Sequence, residues 1–152
     1  MANRASHDRY GKELLRTILG NRWITRGDDR KSVEMNGVRA DLDGIILSEN
    51  LSTVECAVEI EATVPTQACS SLINLAFHPT PKRLFVVILA QPQMGTTETA
   101  TRHFSFVWEK LSRDSEIPFG LVVLQGTGAE PMEEADLLLV QNSLKKLELV
   151  RQ

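Results

Sequence analysis

The sequence contains few of the residues that mark disulfide-rich or membrane-spanning proteins. It has two cysteines, Cys56 and Cys69, whose spacing suits neither a disulfide framework nor a zinc site, and both lie among apolar residues as small buried side chains do. No apolar run approaches the roughly 18 residues that a membrane helix needs, and the opening MANRASHDRYGK has no apolar signal-peptide core. These absences predict a cytoplasmic protein that does not contact a membrane.

A net positive charge is also missing. Lys and Arg number 17 against 20 Asp and Glu, which gives a formal net charge of −3 and a pI of about 5.6. Because phosphate contacts need Lys and Arg, this balance argues against a protein that grips nucleic acid over its whole surface. It leaves room for a local basic patch beside an acidic metal site.

The apolar pattern predicts a single α/β domain over residues 1–152. Helical spacing predicts helices over residues 6–19, 65–77, 100–111 and 132–150, and extended patterns predict strands over residues 33–35, 38–47, 57–62, 84–90 and 119–125. Asn36-Gly37 predicts a hairpin between the first two strands. Short turns make the three leading strands antiparallel, whereas the later strands alternate with helices and should be parallel. The expected fold is a mixed central sheet of about five strands flanked by helices on both faces.

Two neighbouring predicted strands each carry paired carboxylates at alternate positions: Asp41 and Asp43, then Glu59 and Glu61. Because alternate residues of a strand share a face, the four side chains converge if the strands pair. Crowded, half-buried carboxylates repel one another and are costly to bury, and a hard divalent cation such as Mg²⁺ removes that cost. The alternative is that these residues form the solvated faces of their strands.

The segments RADLDGIILSEN and AVEIEA, followed by a predicted helix, resemble the core of the PD-(D/E)xK (restriction-endonuclease-like) nucleases. In that family an Asp on one strand precedes an apolar strand that ends in Glu-x-Lys or a variant. The resemblance covers the chain from the first helix to the strand at 84–90, and the predicted αβββαβ order matches. It implies a restriction-endonuclease-like fold and hydrolysis of phosphodiester bonds in DNA, dependent on Mg²⁺ or Mn²⁺. Nucleases of this fold often pair to cut both strands, so a homodimer is also implied by the resemblance alone.

Carried over to this sequence, the metal-binding Asp of the family falls on Asp43, with Asp41 as the alternative, and the metal-binding Glu falls on Glu59. An acidic residue of the first helix often completes the site in the family, and Glu13 matches it. Gln67 matches a polar residue that many members place near the site. Glu13 and Gln67 are equally well explained as solvent-facing helix residues.

The sequence departs from the family at the lysine position, which is Glu61. Some restriction enzymes of this fold use Glu-x-Glu, and Glu61 would then act as the general base. Lys82 or Arg83 would supply a migrated positive charge, and Arg39 would join them in contacting the phosphates. The departure is equally well explained by loss of catalysis, which leaves a nuclease-fold protein that binds nucleic acid or a protein partner. A third alternative is a structural module with solvated acidic faces, and the low pI favours the last two.

Overall fold

The computed structural model describes residues 4–35, 37–61, 83–89, 97–112, 116–124 and 132–152. Within these residues the helices are α1 (Arg4–Leu19), α2 (Thr97–Ser112) and α3 (Glu134–Lys146). The strands are β1 (Trp23–Ile24), β2 (Ser32–Met35), β3 (Val38–Asp41), β4 (Gly44–Leu47), β5 (Val54–Glu61), β6 (Leu84–Leu89) and β7 (Phe119–Leu124). None of the helices in this described part of the chain is long and apolar enough to cross a membrane.

A mixed sheet forms the centre of the fold, in the order β1-β4-β5-β6-β7. Pairing is antiparallel between β1, β4 and β5 and parallel between β5, β6 and β7. The sequences of β6 and β7, LFVVIL and FGLVVL, are the nearly unbroken apolar runs expected of strands that are covered on both faces. The predicted α/β class is therefore confirmed, as is the change from antiparallel to parallel pairing along the chain.

The hairpin predicted from Asn-Gly is confirmed as a separate two-stranded sheet of β2 and β3. Met35 pairs with Val38, and Ser32 pairs with Asp41. Gly37 has a φ of +82°, in the left-handed region that glycine adopts without strain. Position 36 lies outside the described residues.

The prediction of one continuous strand over residues 38–47 is wrong, because the chain divides there into β3 and β4, which lie in different sheets. At the division, Leu42 N–H donates to the carbonyl oxygen of Lys31 at 2.9 Å, and the Leu42 side chain is buried in the core beside α2. The alternation of faces does not continue through this point. Asp41 and Asp43 therefore do not share one face of one strand.

A short edge strand, β1, was not predicted from the sequence. Trp23 pairs with Ile46, and Ile24 pairs with Ile45. The Trp23 ring is buried against the backbone of Gly44, where a Cβ would overlap the ring. The glycine after Asp43 is thus required by the close approach of Trp23.

Two clusters of buried side chains cover opposite faces of the sheet. Alternate residues of β5 and β7 contribute to each cluster, as the twofold periodicity of a strand requires. The larger cluster joins the sheet to α1 and α3, and its helical members are Tyr10, Leu14, Leu15, Leu19, Val140 and Leu144. The smaller cluster joins the sheet to α2 and the hairpin, and its members include Val33, Leu42, Ala57, Ala100, Phe104, Trp108 and Val123. Helices on both faces of the sheet were expected and are found.

The last helix is shorter than predicted. It ends at Lys146, and the chain then makes a turn in which Leu147 and Leu149 are both buried. Two apolar side chains spaced two residues apart cannot both face the core from a continuing helix, so the helix stops. The helix predicted over residues 65–77 lies outside the described residues.

Candidate functional site

The candidate site lies where β5 extends beyond β4. The strand β4 begins at Gly44, which pairs with Val58, whereas β5 continues to Glu61. Backbone N–H groups on this extension need an acceptor other than β4. The Asp43 side chain supplies one, because Ile60 N–H donates to Asp43 Oδ2 at 2.7 Å.

Asp43 and Glu59 are also joined directly. Asp43 N–H donates to Glu59 Oε1 at 3.1 Å. Within the described part of the chain, Oδ2 is the oxygen of the Asp43 carboxylate that accepts a hydrogen bond. Hydrogen bonds thus hold both carboxylates at the same end of β5.

Glu59 and Glu61 are buried acidic side chains near the end of β5. Their exposed fractions are 5% and 7%. The intervening Ile60 packs against α1, so the alternation of the strand turns both Glu side chains toward the face that α2 covers. The solvated-face alternative therefore does not hold for these two residues. Burial of a carboxylate is costly without hydrogen bonds or a cation to compensate it.

The Asp43 carboxyl titrates at an unusually high pH. Burial raises the pKa of Asp43 from 3.8 to about 6, and the charges of Asp8 and Glu61 raise it as well. The hydrogen bond from Ile60 N–H and the charge of Lys12 lower this pKa but do not offset burial. A cation placed here would stabilise the ionised carboxylate.

Helix α1 crosses β5 at Ile60, on the face of the sheet opposite the Glu59 and Glu61 side chains, and Gly11 permits the close contact. A Cβ on Gly11 would lie 2.7 Å from Ile60 Cγ2, closer than side chains pack. Asp8 and Lys12 flank the crossing, and Lys12 Nζ lies 3.0 Å from Asp8 Oδ2. Sequence reasoning missed both residues. The available signal was a glycine on the apolar stripe of a helix, with opposite charges at i and i+4 around it.

Asp41 and Arg39 belong to a charged network around the hairpin instead. Ser32 Oγ donates to Asp41 Oδ1 at 2.7 Å, and Lys31 Nζ lies 3.7 Å from Asp41 Oδ2. The Ser32 hydrogen bond and the charge of Lys31 hold the pKa of Asp41 below its ordinary value. Arg39 Nη2 donates to Ser32 Oγ at 2.8 Å and lies 3.4 Å from Asp29 Oδ1. Both predicted site residues are engaged here rather than with Asp43.

Arg83 lies at the opposite end of β5. Its Nη1 is 3.0 Å from Glu55 Oε2, and its Nη2 is 3.9 Å from Glu148 Oε2. Glu55 precedes Glu59 by four residues, which is about 13 Å along an extended strand. The structure therefore does not bring Arg83 to the candidate site.

The remaining predicted residues lie elsewhere or cannot be placed. Glu13 lies on α1, where Arg16 Nε is 3.6 Å from its Oε1, and its side chain is 42% exposed. Its role in the site stays a prediction. Gln67 and Lys82 lie outside the described residues, so their predicted roles are untouched by the structure.

The donor atoms at this end of β5 suit a hard cation. Among the described residues no group of three His, Cys, Asp or Glu side chains is close enough to hold a metal ion. Mg²⁺, however, is commonly held by one or two carboxylates, with water and substrate phosphate supplying the other oxygens. The paired carboxylates of Asp43 and Glu59 fit that chemistry, whereas Asp41 does not join them.

Comparison of the chain with protein-family models, with curated proteins and with solved structures found no match. The function is therefore argued from the geometry of the site and from the resemblance of its motif.

Proposed function

We propose that this chain is a metal-dependent nuclease that hydrolyses phosphodiester bonds in DNA, with Mg²⁺ or Mn²⁺ held by Asp43 and Glu59. The observation that carries the proposal is the interlocked pair of carboxylates at the end of β5. Asp43 accepts from Ile60 N–H at 2.7 Å and donates its own N–H to Glu59 at 3.1 Å. Both carboxyl groups are held in place before any ligand arrives, as a binding site requires.

The proposal includes a restriction-endonuclease-like core with a mixed sheet of about five strands. Three features support it. Helix α1 packs on the sheet beside the site. The strands β4 and β5 are antiparallel, and β5 and β6 are parallel. This succession agrees with part of the αβββαβ order of the family, whose second helix is predicted here over residues 65–77, outside the described residues.

The charge balance of the site favours a bound cation. Glu59 and Glu61 are buried, and Asp8 and Glu61 both raise the pKa of Asp43. Like charges that share a low-dielectric site repel one another, and a divalent cation converts this repulsion into attraction. The acidic groups whose repulsion costs free energy in the metal-free site would then be the groups that give the site its affinity for a metal ion.

A bound Mg²⁺ would polarise the scissile phosphate and lower the pKa of a coordinated water. Asp43 and Glu59 would hold the ion through their carboxylate oxygens. Glu61, two residues along the same face of β5, would accept the proton of the attacking water. The water oxygen forms the new bond to phosphorus, the bridging P–O bond breaks, and the leaving oxygen takes a proton from solvent.

Cleavage of DNA by matched variants tests the proposal. Plasmid, linear and branched DNA are incubated with Mg²⁺ or Mn²⁺ and the wild type, Glu59→Gln or Glu55→Gln. Glu55 is the matched control, because it lies on the same strand but pairs with Arg83 at the far end. We expect cleavage by the wild type and by Glu55→Gln, and a loss of at least a hundredfold in Glu59→Gln. Equal activity of the two variants would remove Glu59 from the site, and an inert wild type would remove the nuclease function.

A second candidate function is a catalytically decayed relative that binds nucleic acid or a protein partner. It is favoured by Glu61, which occupies the position where the family has a lysine. The hydrogen bond between Asp43 and Ile60 would also persist in a decayed protein, because it satisfies the backbone of β5. DNA binding by the wild type without metal binding or cleavage would support this alternative.

A further inference from the structure

The acidic site has a positive charge close to it that its sequence motif does not contain. Lys12 lies on α1, one residue after Gly11, which packs closely against Ile60 of β5. Gly11 contacts Ile60, and the backbone N–H of Ile60 is the donor to Asp43. The backbone of Lys12 therefore lies near Asp43, on the α1 side of the sheet, and its flexible four-carbon stem can reach toward that carboxylate.

The electrostatics of the site agree with this placement. The charge of Lys12 acts on Asp43 and lowers its pKa, and the charge of Asp8 acts in the opposite direction. Two of the other cations that were considered for the site are engaged elsewhere, and the third, Lys82, lies outside the described residues. Arg83 is paired with Glu55, and Arg39 is bonded within the hairpin.

A phosphate group could replace Asp8 as the partner of Lys12. Lys12 Nζ lies 3.0 Å from Asp8 Oδ2 in an i, i+4 arrangement, and the two side chains are 30% and 36% exposed. Such partly exposed helix pairs contribute little to stability. A phosphate oxygen presented to the ammonium group would therefore compete well with Asp8.

We propose that Lys12, positioned by Asp8, contacts a non-bridging phosphate oxygen of the DNA substrate at the Asp43–Glu59 site. The inference rests on the proposed nuclease function and names a residue of the same site. Lys12 offsets the charge of the phosphate where the surrounding carboxylates would otherwise repel it. Asp8 is a positioning residue that keeps the ammonium group at the N-terminal turns of α1.

The alternative explanation is that Lys12 and Asp8 form an ordinary surface pair on a helix. Arg16 provides the matched control, because it lies one turn further along α1 and is paired with Glu13 at 3.6 Å. Lys12→Met keeps most of the stem and removes the charge. Lys12→Arg keeps the charge and tests for rescue. Thermal melts of all the variants verify that each is folded.

Two readouts separate phosphate contact from a structural role. The first is DNA binding in the presence of a chelator, measured over a range of salt concentrations. Loss of one phosphate contact should flatten the slope of log K against log salt concentration by about 0.9 in Lys12→Met and leave it unchanged in Arg16→Met. The second is single-turnover cleavage with Mn²⁺, for which we expect a loss of at least thirtyfold in Lys12→Met, partial rescue in Lys12→Arg and wild-type rates in Arg16→Met.

The outcomes distinguish the two proposals. If the wild type cleaves DNA, Glu59→Gln does not, and Lys12→Met matches the wild type in rate and salt slope, the role of Lys12 is overturned while the nuclease function stands. If the wild type neither cleaves nor binds DNA, both proposals fall together.

Discussion

Replacing Asp43 with Asn is expected to stabilise the metal-free protein at pH 8 and to stabilise it by clearly less at pH 4.5. The carboxyl has a pKa of about 6 in the folded chain, whereas an exposed Asp titrates near 3.8. A carboxyl whose pKa is raised by folding favours the folded state while it is protonated, and that contribution is lost as the pH rises through about 6. Asn stays neutral throughout and keeps an oxygen acceptor for the Ile60 N–H.

The expected gain follows from the difference between the two pKa values. A rise from 3.8 to about 6 corresponds to about 3 kcal/mol, at roughly 1.4 kcal/mol per pH unit. The free energy of unfolding of Asp43→Asn should therefore exceed that of the wild type by up to about 3 kcal/mol above pH 7. The difference should shrink as the pH falls and nearly vanish below the pKa of an exposed Asp.

Urea denaturation at several pH values, with a chelator present, measures this difference. Asp41→Asn is the matched control, because Asp41 is exposed and its pKa is held below the ordinary value by the Ser32 hydrogen bond and by Lys31. A lowered pKa stabilises the folded state above the unfolded pKa and loses that contribution as the pH falls, so Asp41→Asn should be less stable than the wild type at pH 8. The reasoning is refuted if Asp43→Asn is destabilised at pH 8 or shows the same gain at pH 4.5 as at pH 8.

Three further substitutions test the packing that positions the site. Gly11→Ala should lower stability by about 1–3 kcal/mol, because its Cβ would meet Ile60 Cγ2 at 2.7 Å, and unchanged urea denaturation would contradict the close crossing of α1. Tyr10→Phe should cost about 1–3 kcal/mol, because it removes the 2.6 Å hydrogen bond to the buried Asp136 carboxylate, and a neutral effect in thermal denaturation would count against that bond. Gly37→Ala should cost about 1 kcal/mol, because its φ of +82° disfavours a side chain, and an unshifted melting temperature would argue against the hairpin geometry.

The elements that could be predicted from the sequence are those with local signals. The Asn-Gly turn, the apolar runs of β6 and β7, and the helical stripe of α1 each depend on residues within one element. The break after Asp41 has no such signal, because it depends on Leu42 entering the core beside α2 and on Trp23 covering Gly44. Contacts between residues more than 20 positions apart in sequence decide it, so the alternation between residues 38 and 47 was misleading.

The residues of the candidate site likewise divide into those that a local sequence signal could identify and those that depend on distant contacts. Asp43 and Glu59 could be chosen from the motif, and the structure brings the Asp43 N–H within hydrogen-bond distance of the Glu59 carboxylate. Arg39 and Arg83 were chosen as positive charges that could contact phosphate, but ion pairs hold each of them elsewhere. Lys12 could not be found this way, because its position depends on where α1 crosses the sheet.

Metal binding tests the central claim most directly. Mn²⁺ is titrated by calorimetry into the wild type, Glu59→Gln and Glu55→Gln at pH 7.5. If Asp43 and Glu59 form the metal site, the wild type and Glu55→Gln each bind Mn²⁺ and Glu59→Gln does not. Absence of binding by the wild type, or equal binding by all three proteins, would contradict the claim.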